Sequence, residues 1–195
     1  ACLANAVPGL AGETDFAARA PADLSGYLKI DTVNPPGNES RGVDYLAKIL
    51  DAHGVDYSTG ESAPGRGNLW ARLKGGPKPG LVLLHQIDVV PSVTDYCDFE
   101  PLSGEIRDGY IYGRGALATK GLGIVHLAAF LALKESGVAL DRDVWFVATA
   151  DEEAGGAYGA GWMLDAHAGV FENVGFLVNE GGAVMEMGGG RAVMV

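Results

Sequence analysis

Cysteine is scarce in this sequence. Its 195 residues hold two cysteines, Cys2 and Cys97, far apart and in no CxxC pair. A thiolate-held zinc site is therefore excluded within the chain, and nothing in the spacing demands a disulfide. Long apolar runs are missing too: none approaches the ~20 residues of a membrane-spanning helix. Positive charge is scarce, with 14 Lys and Arg against 25 Asp and Glu and a formal net charge of −11. Nucleic acid is held by Lys and Arg that displace counterions, and an anionic membrane surface makes the same demand, so neither partner is expected. Internal repeats and low-complexity linkers are absent, which leaves one domain with a core of its own.

Glycine, by contrast, is abundant. The 30 glycines are about twice the usual ~7% share and fall between apolar runs, so they read as turns and close-approach loops. The periodicity predicts a helix over 13–33, interrupted at Pro21, with Phe16, Leu24 and Leu28 on one face. Asn34-Pro35-Pro36-Gly37 is a stiff turn. Ser40 is expected to cap a helix that carries Val43, Leu46, Ile49 and Leu50 and stops at Gly54. Strands are expected at 55–59, 68–73 and 81–90, the last apolar enough to be buried on both faces. A long loop covers 91–114. A helix over 119–136 ends at Gly137, and a buried strand covers 143–149. This strand–helix–strand unit predicts a parallel pair with a right-handed crossover. A helix at 158–167 leads to a strand at 174–178. The last residues, 191–195, read as a strand cut off part-way, which suggests a piece of a longer protein.

In parallel sheets the chemistry gathers outside the carboxyl ends of the strands. Acidic residues stand at three such ends: Asp88 in His85-Gln86-Ile87-Asp88-Val89-Val90-Pro91, then Asp151-Glu152-Glu153, then Glu180 in Asn179-Glu180-Gly181-Gly182. Taken singly, each is a solvated strand end. Brought together they would repel unless a cation or protons intervened. A metal bound through carboxylate oxygen is the economical answer.

The stretch from Pro91 to Gly121 resembles the zinc-dependent aminoacylase and carboxypeptidase superfamily. That group includes carboxypeptidase S, aminoacylase, acetylornithine deacetylase and succinyl-diaminopimelate desuccinylase. The resemblance rests on Asp88-Val89-Val90-Pro91, on Pro101-Leu102-Ser103-Gly104-Glu105-Ile106, on Asp108-Gly109-Tyr110-Ile111-Tyr112-Gly113-Arg114-Gly115-Ala116 and on Lys120-Gly121. The Asp-Glu-Glu and Asn-Glu-Gly-Gly segments follow in order, so the likeness runs from about Asp31 to Val195. It implies an α/β fold, a mostly parallel central sheet flanked by helices. Residues 1–195 would form the amino-terminal part of its catalytic domain, without the family's lid domain. It also implies hydrolysis of peptide or N-acyl amino acid amide bonds by water activated between two Zn2+ ions about 3.5–4 Å apart. Co2+ or Mn2+ could share such sites. Glu152 would be the general base, Glu153 and Glu180 metal ligands, and Asp88 a carboxylate that orients a metal-binding histidine. A homodimer contact would come from the lid.

Two positions depart from the pattern. Gln86 stands where the resemblance calls for a histidine ligand, and Ala118 where it calls for the bridging aspartate. Glutamine is a poor zinc ligand and alanine offers none. One protein ligand then remains for each metal, against the three or four a zinc site takes. Weak or absent metal binding is expected, and an inactive relative that keeps the fold for binding or assembly is the alternative. His85 would reach the metals only through a one-residue bulge and is expected to pack against a helix. His53 is read as a helix-end residue, His126 and His167 as surface or packing residues. Arg114 is assigned a loop-holding role. Ala4-Asn5-Ala6 resembles the end of an export signal, which favours a secreted or periplasmic location over a cytoplasmic one.

Overall fold

The computed structural model describes residues 15–93, 98–181, 184–187 and 191–194. Both cysteines and the Ala4-Asn5-Ala6 site lie outside these residues.

A five-stranded sheet organises the chain: β1 (Tyr57–Glu61), β2 (Gly67–Leu73), β3 (Lys78–Gln86), β6 (Arg142–Thr149) and β7 (Val174–Val178), in the order β1-β2-β6-β3-β7. β3 pairs in parallel with β6 and β7, while β2 is antiparallel to both β1 and β6. β2 thus runs alone against the other four. The antiparallel step follows from the short connections on either side of β2, whereas β3 and β6 are joined through helix α3 (Lys120–Ser136). The β3–α3–β6 crossover is the unit predicted from the apolar runs. Two small hairpins, β4 (Glu105–Arg107) with β5 (Tyr110–Tyr112) and β8 (Val184–Met187) with β9 (Arg191–Met194), stand apart from the main sheet.

Helices α1 (Phe16–Leu28), α2 (Glu39–Ala52) and α3 cover one face of the sheet, and the short α4 (Ala160–Ala166) lies on the other. The larger core gathers Tyr27, Leu46, Leu50, Leu69, Phe130 and Phe146. The smaller one joins Val82, Val147, Met163 and Val170. β3 serves both, because Leu83 joins the first core and Val82 the second, as a strand's alternation requires.

Three local expectations are corrected. Pro21 lies inside α1 without interrupting it. The ring removes one backbone bond, but Asp15 caps the helix (Oδ1 accepts from Ala18 N–H at 2.9 Å), and Phe16, Ala20 and Leu24 pack into the core. Ser40 is not the cap of α2. Asn38 takes that position, and the Ser40 hydroxyl donates to Glu61 Oε1 on β1 at 2.6 Å. The long loop after β3 contains the β4–β5 hairpin, turned by Asp108 and Gly109, both at positive φ.

Candidate active site

β3 ends at Gln86, four residues before the expected strand end. The chain then bends toward the segment before α2: Val89 N–H donates to Thr32 O at 3.1 Å, and Asn34 N–H donates to Val89 O at 2.9 Å. This bend carries Asp88, which is fully buried, off the carboxyl end of the sheet. From there its carboxylate caps the neighbouring strand end. Oδ1 accepts from Glu152 N–H and Oδ2 from Glu153 N–H, each at 3.1 Å, and Asn34 Nδ2 donates to Oδ2 at 2.8 Å. A carboxylate at the start of this short 3-10 turn (Glu152–Ala154) satisfies N–H groups that would otherwise be orphaned. The bonds of Asp88 thus run to the turn that carries the two glutamates and to Asn34, and not to the side chain at position 86.

Asp151, just before that turn, sits at φ 66° and is itself buried. Its Oδ2 accepts from Tyr158 N–H at 3.1 Å, and its Oδ1 lies 3.4 Å from Arg66 Nη2. Arg66 also donates to Asn34 Oδ1 at 3.0 Å and to the fully buried Glu39 at 2.6 Å. Glu39 accepts in addition from Asp151 N–H at 3.2 Å. Asn34, Glu39 and Arg66 thus form a buried frame behind the acidic loop. None of the three was singled out from the sequence: Asn34 read only as part of a turn, and neither Glu39 nor Arg66 stood in any pattern.

Glu152 and Glu153 point outward from this frame. Partial burial raises the pKa of both, and neighbouring carboxylates add to it: Glu153, Glu180 and Asp88 act on Glu152, while Asp88 and Glu180 act on Glu153. On Glu153, the Gln86 amide and the Arg114 guanidinium pull the other way. The carboxylates at three strand ends therefore share one electrostatic neighbourhood.

Gln86 stands in the middle of it. Its Nε2 donates to Glu152 Oε2 at 2.8 Å, and its Oε1 lies 3.1 Å from the Thr119 hydroxyl. The Glu152 carboxylate can only accept, so the amide must turn its N–H toward it. Thr119, which precedes α3, makes no capping bond with its side chain. Its hydroxyl instead accepts from Gln86 N–H at 3.2 Å. His85 points the opposite way. It is fully buried, against Gly123 of α3 and 3.4 Å from the Tyr27 hydroxyl. His126 is buried as well, His167 lies against the Trp70 and Trp162 rings, and His53 bonds Glu135 at 2.8 Å. Arg114 Nε donates to the Ser92 hydroxyl at 3.0 Å. Among the described residues, no three His, Cys, Asp or Glu side chains stand where they could hold one metal ion.

The sequence profile of peptidase family M20/M25/M40 matches residues 82–192, which contain every one of these carboxylates except Glu39. The chain belongs to this family. Its members are hydrolases, peptidases and aminoacylases among them. Aminoacylase-1 of Sus scrofa is 31% identical over 158 residues, covering 80% of this chain and 39% of the relative. Succinyl-diaminopimelate desuccinylase of Methylorubrum extorquens is 39% identical over 150 residues, covering 71% of this chain and 37% of the relative. The chain thus spans roughly two fifths of the length of these relatives. The fold matches that of an M20 family metallo-carboxypeptidase from Sulfolobus solfataricus, with a TM-score of 0.67, 20% identity, and coverage of 85% of this chain and 38% of that one.

Proposed function

We propose that this chain is the amino-terminal part of the catalytic domain of a metal-dependent hydrolase of peptide or N-acyl amino acid amide bonds, and that Gln86 and Ala118 impair its metal centre. The turn that Asp88 holds carries the reading. It supports Glu152 as the group that would take a proton from an attacking water and Glu153 as a metal ligand, with Glu180 as a ligand from the next strand. The raised pKa of Glu152 suits a general base better than an ordinary surface carboxylate would.

The residues present do not fit a pair of zinc ions. Glu153 and Glu180 supply one ligand each, Ala118 supplies nothing between them, and the Gln86 amide turns its donor toward Glu152. Without an anionic bridge, two dications at close range repel one another. The second reading, an inactive relative that keeps the fold for binding or assembly, is favoured by that same Gln86–Glu152 hydrogen bond. A neutral amide there ties up the carboxylate that would receive the proton.

The test restores both positions, Gln86→His with Ala118→Asp, in the full-length protein, and follows zinc content and hydrolysis of dipeptides and N-acyl amino acids. Restoration is expected to raise metal affinity and turnover by at least ~100-fold, since even substitutions beyond the direct ligands of a metal cost ~10- to 100-fold. If neither rises, the ligand positions are misassigned. If the unmodified protein already turns over as fast as the restored one, the impairment is refuted.

A further inference from the structure

A cavity of about 300 Å3 opens onto the acidic cluster, with Glu153 and Ala118 in its lining. Val90, Phe99, Ile111 and Leu117 supply its apolar walls, and Arg114 and Glu153 are its charged members. Its walls are fixed by the fold. Gly115 sits at φ 91°, and a Cβ there would come 2.6 Å from Val89 Cγ1, so only glycine lets the 113–118 loop lie flat on Val89. Arg114 ties that loop down twice, through its N–H to Pro101 O at 2.7 Å and its Nε to Ser92. Phe99 and Tyr112, also in the lining, have rings 5.4 Å apart, and Arg107 stands 4.8 Å over Tyr112.

Leu117 is the odd residue. It is 94% exposed, next in the chain to Ala118, and it shares the concavity with Val90, itself 37% exposed. A single exposed leucine is unremarkable on a protein surface. One that lines a preformed, largely apolar cavity shared with the candidate metal ligand Glu153 has a use. The volume is at the low end for ligand sites and admits one aliphatic or aromatic group rather than a whole substrate.

We propose that this cavity is a specificity pocket for the apolar group that flanks the target amide bond, whether an amino acid side chain or an acyl chain. The proposal rests on the hydrolase reading for its substrate class. Away from Arg114 and Glu153, a polar group entering between the apolar walls would lose water without gaining partners. An apolar group would cover Leu117 and Val90.

Calorimetry on the unmodified full-length protein tests it with two pairs of compounds. N-acetylphenylalanine against N-acetylglutamine probes the side-chain arm, and N-hexanoylglycine against N-acetylglycine the acyl arm. The apolar member of one pair is expected to bind at least ~10-fold tighter, and the arm that discriminates names the occupant. Leu117→Asn should reduce that preference several-fold with no change in melting temperature. Equal binding within both pairs, or a preference untouched in Leu117→Asn, would overturn the pocket. Turnover of the same compounds by the Gln86→His, Ala118→Asp protein separates the two readings. Discrimination without turnover removes the hydrolase and keeps the pocket; turnover without discrimination does the reverse.

Discussion

His85 and Gln86 are neighbours on one strand with opposite fates, because successive strand residues face opposite sides. Gln86 enters the acidic site. His85 goes into the core, where burial first, then the nearby His126 and Lys120, push its pKa down to about 3. Burial lowers that of His126 as well, and both rings keep an unpartnered Nδ1. A histidine that is neutral when folded and titrates near 6.5 when unfolded supports the fold fully above about pH 6.5 and loses that support as pH falls toward 3. Melting temperature should therefore drop from pH 7 to pH 4, and drop less in His85→Phe, as thermal scans across that range would show. An equal drop would mean that His85 is not held neutral. Glu153 works in the other sense. Its pKa is raised, so the fold resists its ionisation, and the penalty is present at neutral pH and relieved by acid. Glu153→Gln should raise the melting temperature at pH 7 and lose that gain near pH 4, as thermal scans at the two pH values would show.

Among the elements, the loop at 151–153 depends on parts far away in sequence. Arg66 precedes β2, Glu39 opens α2, and Asn34 lies in the Pro-Pro turn, yet the three converge behind Asp88 and Asp151. Arg66→Met would leave Glu39 buried without its cation and should cost ~3–5 kcal/mol in urea unfolding. Adding Glu39→Gln should recover part of that loss, and no recovery would argue against a coupled pair. Periodicity could reveal β3, α3 and β6, because each buries a continuous apolar surface that a one-dimensional pattern records. It could not reveal this frame, whose members are isolated polar residues joined only by the tertiary fold. Pro21 and Ser40 failed for a related reason: packing of α1 outweighed the lost hydrogen bond, and Glu61 competed for a hydroxyl that local rules assign to a cap.

Taken whole, the molecule is a sheet with helices on both faces, and Asp88, Glu152, Glu153 and Glu180 follow the carboxyl ends of its parallel strands. Asp88, Glu152, Glu153 and Glu180 were legible in the sequence because acidic residues directly after apolar runs stand out against a strand pattern. The hydrogen bond that turns Gln86 toward Glu152 was not, since it depends on the placement of Thr119. β7 pairs only with β3 among the described residues, and Phe176, Leu177 and Val178 are 58%, 51% and 44% exposed. An open edge with apolar side chains favours pairing with another chain. The 195-residue chain by itself should show concentration-dependent association in sedimentation, weakened by Leu177→Lys. Whether Gln86 and Ala118 leave room for a metal pair is decided by counting zinc in the unmodified full-length protein after dialysis against trace metal. Fewer than two tightly held ions per chain are expected. Two retained ions would mean that the centre is intact despite both substitutions.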